Sequence, residues 1–228
     1  MNNKIKYFRE VLIREGKKFY KPFPWRKTKN LFHALTAEVM LQRTKAEQVE
    51  GVFIDFVEKY ESPEQFLLCC RSNIFKNLGL SWRYRLYRKL CAQIVDLGKI
   101  PTDKKELTSL PGIGNYIAAA YRSLHLGQKD FMIDSNVMRL YGRYFGFQVY
   151  PETRREKWFI EFSESITPGK KFKEYNYALL DFTRFICKPK PLCSGCSLLK
   201  KCSFGMDKGA KGGLWRKVYL RAGETIGK

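Results

Sequence analysis

A short turn of glycine and proline limits how the middle of this chain can fold. The segment Leu-Pro-Gly-Ile-Gly occupies residues 110–114, and helical periodicity is present on both sides of it, over 103–109 and 115–126. Gly112 and Gly114 permit tight backbone conformations that a side chain would forbid. The amides of such a turn point outward at the start of the second helix, where the helix dipole also favours an anion. The segment predicts a helical hairpin that binds phosphate through its backbone, although an ordinary turn between two helices has the same pattern.

Helical periodicity recurs along most of the 228 residues, and strand signals are few. Proline and glycine residues separate the helical stretches, as expected for connecting loops. We therefore predict an all-α protein that ends in a basic, partly ordered tail at 203–228, where glycine and lysine are frequent. The predicted helices cover residues 4–18, 30–44, 46–60, 63–69, 71–77, 82–97, 103–109, 115–126, 135–146, 152–166 and 173–186.

The charge balance of the chain indicates a polyanionic partner. Lysine and arginine number 43 against 22 acidic residues, a formal net charge of +21, which is more than solubility requires. A generally basic proteome is the alternative explanation. No stretch approaches the roughly 18 apolar residues of a membrane span, and the first residues lack the apolar core of a signal peptide. We expect an intracellular protein of the cytoplasm or nucleoid whose polyanion is nucleic acid and not a membrane.

Four of the seven cysteines lie in one short basic loop near the C-terminus. Gaps of five, two and five residues separate Cys187, Cys193, Cys196 and Cys202. In a reducing compartment such crowding indicates a metal site and not disulfides. Ligation by thiolates alone is typical of zinc or of an iron–sulfur cluster. Both remain possible from the spacing.

Two carboxylates lie among apolar residues and are candidates for chemistry. Glu38 lies in the apolar run 35–41, where a buried glutamate is costly unless a partner or a function keeps it. An arginine partner would be the purely structural explanation. Asp134 lies within Ile-Asp-Ser-Asn-Val at 133–137, and its structural explanation is a cap on the helix that begins near Ser135.

These segments together resemble the helix-hairpin-helix DNA glycosylase superfamily. The resemblance rests on the hairpin at 110–114 followed by the Asp134 segment, and it spans roughly residues 22–202. Pro-Trp-Arg at 24–26 and the segment 36–44 are similar to the first helices of its iron–sulfur branch, and Asn-Leu-Gly-Leu-Ser at 77–81 is similar to its strand-separating loop. That branch contains endonuclease III, MutY-type adenine glycosylases and thymine glycosylases that act at G·T mismatches.

The resemblance implies two helical lobes with a DNA cleft between them. A six-helix domain would cover 27–134 and contain the hairpin, and a second domain would combine 1–26 with 135–202 and the cysteines. The cofactor implied is a 4Fe-4S cluster. The first cysteine gap is one residue shorter than in that branch, so zinc remains the alternative. The protein would act as a monomer on double-stranded DNA that contains a mismatched base.

The resemblance also assigns roles to individual residues. Asp134 would stabilise the positive charge that builds on the sugar when the base leaves, and Glu38 would bond the flipped base or position water. Tyr116 stands where strand-cleaving members carry a lysine, so no Schiff base is expected. Leu80 would enter the base stack and Arg43 would approach the orphaned guanine. The other expected DNA contacts are Gln42, Ser81, Gly112, Gly114, Lys188 and Lys190.

Three features favour thymine or uracil opposite guanine as the substrate. Leu-Gln-Arg-Thr at 41–44 and Gly-Leu-Ser at 79–81 are more similar to the thymine glycosylases than to MutY, and the 26 residues after Cys202 are too few for the second domain that MutY needs. We expect a monofunctional enzyme of base excision repair. The alternatives are an adenine glycosylase acting opposite 8-oxoguanine or guanine, and a non-catalytic DNA-binding protein. A pure binder would have no need of Asp134 and Glu38 near anionic DNA.

Overall fold

The computed structural model describes residues 2–70 and 73–207. Every regular element in these ranges is helical, which confirms the all-α prediction, whereas the expected tail lies outside the described residues beyond 207. None of the described helices combines the length and the apolar character that a membrane crossing needs. The α-helices are α1 Asn2–Phe19, α2 Leu31–Met40, α3 Ala46–Lys59, α4 Pro63–Cys69, α5 Arg83–Leu97, α6 Lys104–Ser109, α7 Asn115–Ala120, α8 Ser135–Phe145, α9 Lys157–Ile166, α10 Phe172–Phe185 and α11 Ser203–Asp207.

Helical turns of other types connect several of these helices. A π turn, Tyr121–His125, continues α7, and four short 3-10 turns are Pro24–Arg26, Lys76–Leu78, Thr153–Arg155 and Leu199–Lys201. The predicted helix over 71–77 is therefore wrong over 73–75, and its last two residues belong to a 3-10 turn and not to an α-helix. The side chain of Asn73 accepts a hydrogen bond from the amide of Phe75 at 3.0 Å and donates one to the carbonyl of Ser81 at 3.1 Å. These local bonds compete with helix formation and hold the segment as a loop.

The chain forms two compact units. The hairpin unit comprises residues 22–128, and the cysteine unit comprises 1–21 and 129–228, of which the part up to 207 is described. The sequence places the corresponding borders at 26/27 and 134/135. Each unit has its own hydrophobic core.

Aromatic packing in the hairpin unit positions α2. The fully buried ring of Phe66 lies 5.9 Å from that of Phe56 and 5.0 Å from that of Tyr87, which joins α3, α4 and α5. Burial of each such side chain contributes about 1.5–3 kcal/mol. The hydroxyl of Tyr87 also bonds that of Thr36 in α2 at 2.6 Å. Arg83 of α5 donates to the carbonyl of Val39 at 3.0 Å, so two bonds orient the helix that carries Glu38.

Close helix packing is the basis of the cysteine unit. The ring of Phe8 in α1 lies 4.7 Å from that of Tyr144 and 5.8 Å from that of Tyr141, both in α8. On another face α1 packs along α10. A Cβ atom placed on Gly16 would lie 2.5 Å from the Cβ of Ala178, so the two helices approach closely only because residue 16 has no side chain.

Two glycine-to-alanine substitutions should have effects of opposite sign. Gly16→Ala should lower the free energy of unfolding by about 1–3 kcal/mol, because the new methyl group overlaps Ala178. Gly51→Ala in α3 meets nothing within 4 Å and should raise stability by about 0.5–1 kcal/mol through helix propensity. Urea unfolding followed by circular dichroism measures both. A neutral Gly16→Ala variant would contradict the close approach of α1 and α10.

Candidate active site

The hairpin between α6 and α7 forms as predicted. Gly112 has φ +79°, a left-handed conformation that favours glycine, and the amide of Ile113 donates to the carbonyl of Leu110 at 3.1 Å. The side chains of Leu110 and Ile113 are buried and anchor the turn in the core of the hairpin unit. Gly112 and Gly114 are themselves exposed, and Gly114 precedes the first residue of α7. The turn therefore presents bare backbone at the start of a helix.

Glu38 is buried on α2 and is bonded to a histidine. Its side chain is 4% exposed, and its Oε1 lies 2.9 Å from Nε2 of His125, whose side chain is also 4% exposed. The partner is thus a histidine and not the arginine that the structural explanation assumed. Sequence reasoning missed His125. The available signal was a histidine within the apolar end of the second hairpin helix, in Ser-Leu-His-Leu at 123–126.

A π turn carries His125. The amide of Leu126 donates to the carbonyl of Tyr121 at 3.2 Å, five residues back, in place of the usual four. Such turns are rare and frequently occur at functional sites. The turn packs against α2, and burial raises the pKa of the Tyr121 phenol. Because a π turn contains one residue more than an α-helical turn, it changes which side chains face α2.

Asp134 is the N-cap of α8. Its Oδ1 accepts hydrogen bonds from the amides of Asn136 at 2.9 Å and Val137 at 2.7 Å. Its Oδ2 accepts one from the Asn136 side-chain nitrogen, also at 2.9 Å. The structure therefore contains the cap that the sequence offered as the structural explanation. A cap at the positive end of a helix dipole is also a place where a carboxylate charge is favoured.

The bonds of Asp134 continue to the cysteine loop. Asn136 Oδ1 accepts from Nη1 of Arg139 at 2.9 Å, so the amide nitrogen of Asn136 must point toward Asp134. Arg139 in turn donates from Nε and Nη2 to the carbonyl of Cys187, at 3.1 and 3.0 Å. Three hydrogen-bonded steps connect the candidate catalytic carboxylate with the first cysteine of the loop.

The four clustered cysteines line one small cavity with mostly apolar neighbours, and all four thiols are free. Burial raises the pKa of the Cys196 thiol to about 11, and the neighbouring thiols add to the rise. Arg143 donates to the sulfur of Cys187 at 3.6 Å and to the carbonyl of Lys188 at 2.6 Å. Across the described residues, no three Cys, His, Asp or Glu side chains already have an arrangement that holds a metal ion. The donor set nevertheless fits a group held by thiolates alone.

Two of the predicted DNA contacts lie together at the hairpin. Gln42 and Gly112 line one small cavity of the hairpin unit, with Trp82 and Arg83 beside them. The guanidinium of Arg83 lies 4.9 Å from the centre of the Trp82 ring. Trp82 is 62% exposed, an unusual position for so large an apolar surface, and sequence reasoning missed it.

The other predicted contacts differ in exposure. Leu80 is only 7% exposed and packs in the core of the hairpin unit, whereas its neighbour Ser81 is exposed. Arg43 is exposed and has φ +58°, a left-handed conformation that is costly for a side-chain-bearing residue and clusters at functional sites. In the cysteine loop Lys190 is exposed and Lys188 is half-buried.

Comparison with known proteins places the chain among DNA repair enzymes. No family model matches it. A thymine/uracil-DNA glycosylase from Methanothermobacter thermautotrophicus is 34% identical over 210 residues, 89% of this chain and 95% of the relative. A second thymine/uracil-DNA glycosylase, from Pyrobaculum aerophilum, is 33% identical over 204 residues, 84% of this chain and 88% of the relative. The solved structure of a thermostable thymine-DNA glycosylase has a TM-score of 0.83 at 32% identity, covering 90% of this chain and 98% of that chain.

The cap at Asp134 predicts how two substitutions affect stability. Asp134→Ala removes the bonds to two helix amides and should lower the free energy of unfolding by about 1 kcal/mol. Asp134→Asn keeps the bonds to the two helix amides but turns a second N–H donor toward the Asn136 side chain, so it should lower the free energy of unfolding by less than Asp134→Ala does. Asp103→Ala, which removes the cap of α6, gives the effect of an ordinary cap for comparison. Urea unfolding measures all three, and equal losses for Asp134→Asn and Asp134→Ala would contradict the cap.

Proposed function

The chain belongs to the thymine/uracil-DNA glycosylase family of the helix-hairpin-helix superfamily, and from this membership we propose that it releases thymine or uracil mispaired with guanine in double-stranded DNA. The observation that carries the proposal is sequence identity of 34% over nearly the full length of a relative with that activity in its name. Such mispairs arise when cytosine or 5-methylcytosine loses its amino group.

Asp134 is the proposed catalytic carboxylate. Breaking the bond between base and sugar builds positive charge on the sugar, and a fixed negative charge close to it lowers the barrier. The cap bonds and the Asn136 amide hold the carboxylate in one orientation, so little reorganisation is needed as the charge develops. Arg139 acts through Asn136 and is therefore a positioning residue in this scheme.

Glu38 is proposed to meet the flipped base. Within the hairpin unit it is the buried carboxylate of the first long helix, and its burial strengthens any hydrogen bond that it makes to a ligand. A mispaired base also costs less to flip than a matched one, which contributes to selectivity. A single methyl group distinguishes thymine from uracil and is worth only about 1–3 kcal/mol, so both bases should be released.

The reaction is proposed to stop at an intact abasic site. A lyase step needs an amine that attacks the sugar to form a Schiff base, and the phenol of Tyr116 is no amine. Residues 115–121 contain no lysine that would substitute for it. The product would therefore be a continuous strand that breaks only when hot alkali is added.

DNA binding is proposed to combine backbone amides, lysines and an aromatic wedge. The bare amides at Gly112 and Gly114 suit phosphate, and Lys188 and Lys190 add charge near the cysteines. Trp82 is better placed than Leu80 to enter the base stack, because its ring is exposed while Leu80 packs in the core. Gln42 and Arg43 are proposed to contact the orphaned guanine.

The four clustered cysteines are proposed to hold a 4Fe-4S cluster, with zinc as the alternative. Cys187, Cys193, Cys196 and Cys202 would be its thiolate ligands, because all four line the same cavity. The group would supply metal–thiolate bonds that close the loop. It would take no part in base release. Through the Cys187 carbonyl and Arg139, the closed loop would also support the orientation of Asp134.

Base release from defined duplexes tests the activity. DNA containing G·T or G·U should break only after hot alkali, and a matched G·C duplex should stay intact. Asp134→Asn keeps the cap but loses the charge, so release should fall by at least about 100-fold. Duplex binding at one stated salt concentration should change by less than about threefold. If Asp134→Asn releases the base as fast as the unsubstituted protein, Asp134 is not catalytic. Strand breaks without alkali would contradict the absence of a lyase step. Release of adenine opposite 8-oxoguanine would favour the adenine glycosylase.

Two neighbouring substitutions should separate the wedge from the core. Trp82→Ala should leave unfolding nearly unchanged but lower base release about tenfold, because stacking on an aromatic ring is worth about 1–3 kcal/mol per base. Leu80→Ala should lower the free energy of unfolding by about 2–5 kcal/mol through the cavity that it leaves. Urea unfolding and single-turnover release measure the two effects. If Leu80→Ala lowered base release without lowering stability and Trp82→Ala lowered stability instead, Leu80 would be the wedge.

A further inference from the structure

His125 is a buried titratable residue that contacts Glu38 and has no role in the proposed reaction. His125 contacts Oε1 of Glu38 at 2.9 Å, and both side chains are only 4% exposed. Sequestering a carboxylate and an imidazole together costs solvation on both sides. An apolar pair at these positions would pack without that cost, so the pair points to a role beyond stability.

The second histidine of the chain shows what a purely structural histidine does here. His33 also lies on α2 and is buried, and its Nε2 donates to the carbonyl of Tyr60 at 2.7 Å. A backbone carbonyl has no alternative protonation state and no catalytic role. Glu38, in contrast, is the side chain proposed to meet the base. A substitution of His33 is therefore a suitable control for a substitution of His125.

The hydrogen bonding of Glu38 leaves one of its oxygens available. Oε1 is bonded to His125, and no hydrogen bond from the described residues reaches Oε2. An ionised carboxylate only accepts hydrogen bonds, so its second oxygen suits a donor on a ligand. Thymine and uracil carry an N3–H donor on their pairing edge, whereas adenine has an acceptor, N1, at the corresponding place. A histidine-bound carboxylate thus suits the imide bases.

We propose that His125 is a positioning residue that donates from Nε2–H to Glu38 and so holds its Oε2 as the acceptor for the N3–H of a flipped thymine or uracil. This inference rests on the proposed function and adds a determinant of base choice to it. The π turn makes the arrangement specific. It packs against α2, and the His125 ring lies 6.2 Å from that of the buried Tyr121.

Substitution at both ends of the pair tests the proposal in the full-length protein. The variants are His125→Ala, His125→Gln, Glu38→Gln and the double variant His125→Ala/Glu38→Gln, with His33→Gln as the matched control. Single-turnover release is measured on G·T and G·U duplexes and on adenine opposite guanine. Binding is measured separately with a duplex that carries non-cleavable 2′-fluoro-2′-deoxyuridine opposite guanine. Urea unfolding of each variant identifies any that does not fold.

His125→Ala should lower thymine and uracil release about tenfold or more while the dissociation constant changes less than about threefold. His125→Gln keeps an N–H donor and should recover most of the loss, which also covers the case that His125→Ala does not fold. In the Glu38→Gln background, His125→Ala should have almost no further effect on release, because the group that it positions is already altered. His33→Gln should lower stability and leave release unchanged.

Three results would overturn the inference. Release by His125→Ala and His125→Gln equal to that of the unsubstituted protein would remove the role of His125 while leaving the proposed function intact. Independent, multiplicative losses from His125→Ala and Glu38→Gln would mean that the two residues do not act through one another. Failure of the unsubstituted protein to release thymine or uracil from any duplex would overturn the proposed function, and this role of His125 with it.

Discussion

The cost of holding a carboxylate away from water shapes the surroundings of Glu38, whose side chain is 4% exposed. A buried charge without a partner costs far more than the roughly 2–7 kcal/mol of a buried neutral polar group, so Glu38 needs a donor within reach. Glu38 obtains one from His125 on a π turn. Asp134 obtains three from the first turn of α8, where helix amides have no partner within the helix. Irregular turns and helix ends thus supply the donors that regular helix interiors lack.

Hydrogen bonds also connect Asp134 with the cysteine loop. Arg139 uses its planar guanidinium to hold both the Asn136 side chain and the Cys187 carbonyl. Such a fork has a fixed geometry, so a displacement of the cysteine loop would be transmitted to the carboxylate. These bonds connect the loop with the carboxylate that is proposed to be catalytic. Gly112 differs in being exposed, which suits the phosphate contact proposed for the hairpin because such a contact requires accessible backbone.

Much of the fold follows from local patterns, and the exceptions have identifiable causes. Periodicity predicted the long helices to within a few residues, because burial of one helix face repeats every few positions. The expected helix is absent over 73–75 because Asn73 bonds the backbone of its own loop. The sequence could not predict which of Leu80 and Trp82 is buried and which is exposed. Which of two neighbouring apolar side chains is buried depends on the helices that pack around the loop.

The sequence by itself determined the helical class, the hairpin, the cysteine loop and the two carboxylates, because each of these features depends on residues that lie close together in the chain. The tertiary structure alone decided the partner of Glu38. His125 lies 87 residues further along the chain, and only the packing of α2 against the π turn brings the two side chains to 2.9 Å. Helix periodicity reports which face of a helix is buried. It does not report which distant side chain lies opposite, because that depends on how separate helices pack together.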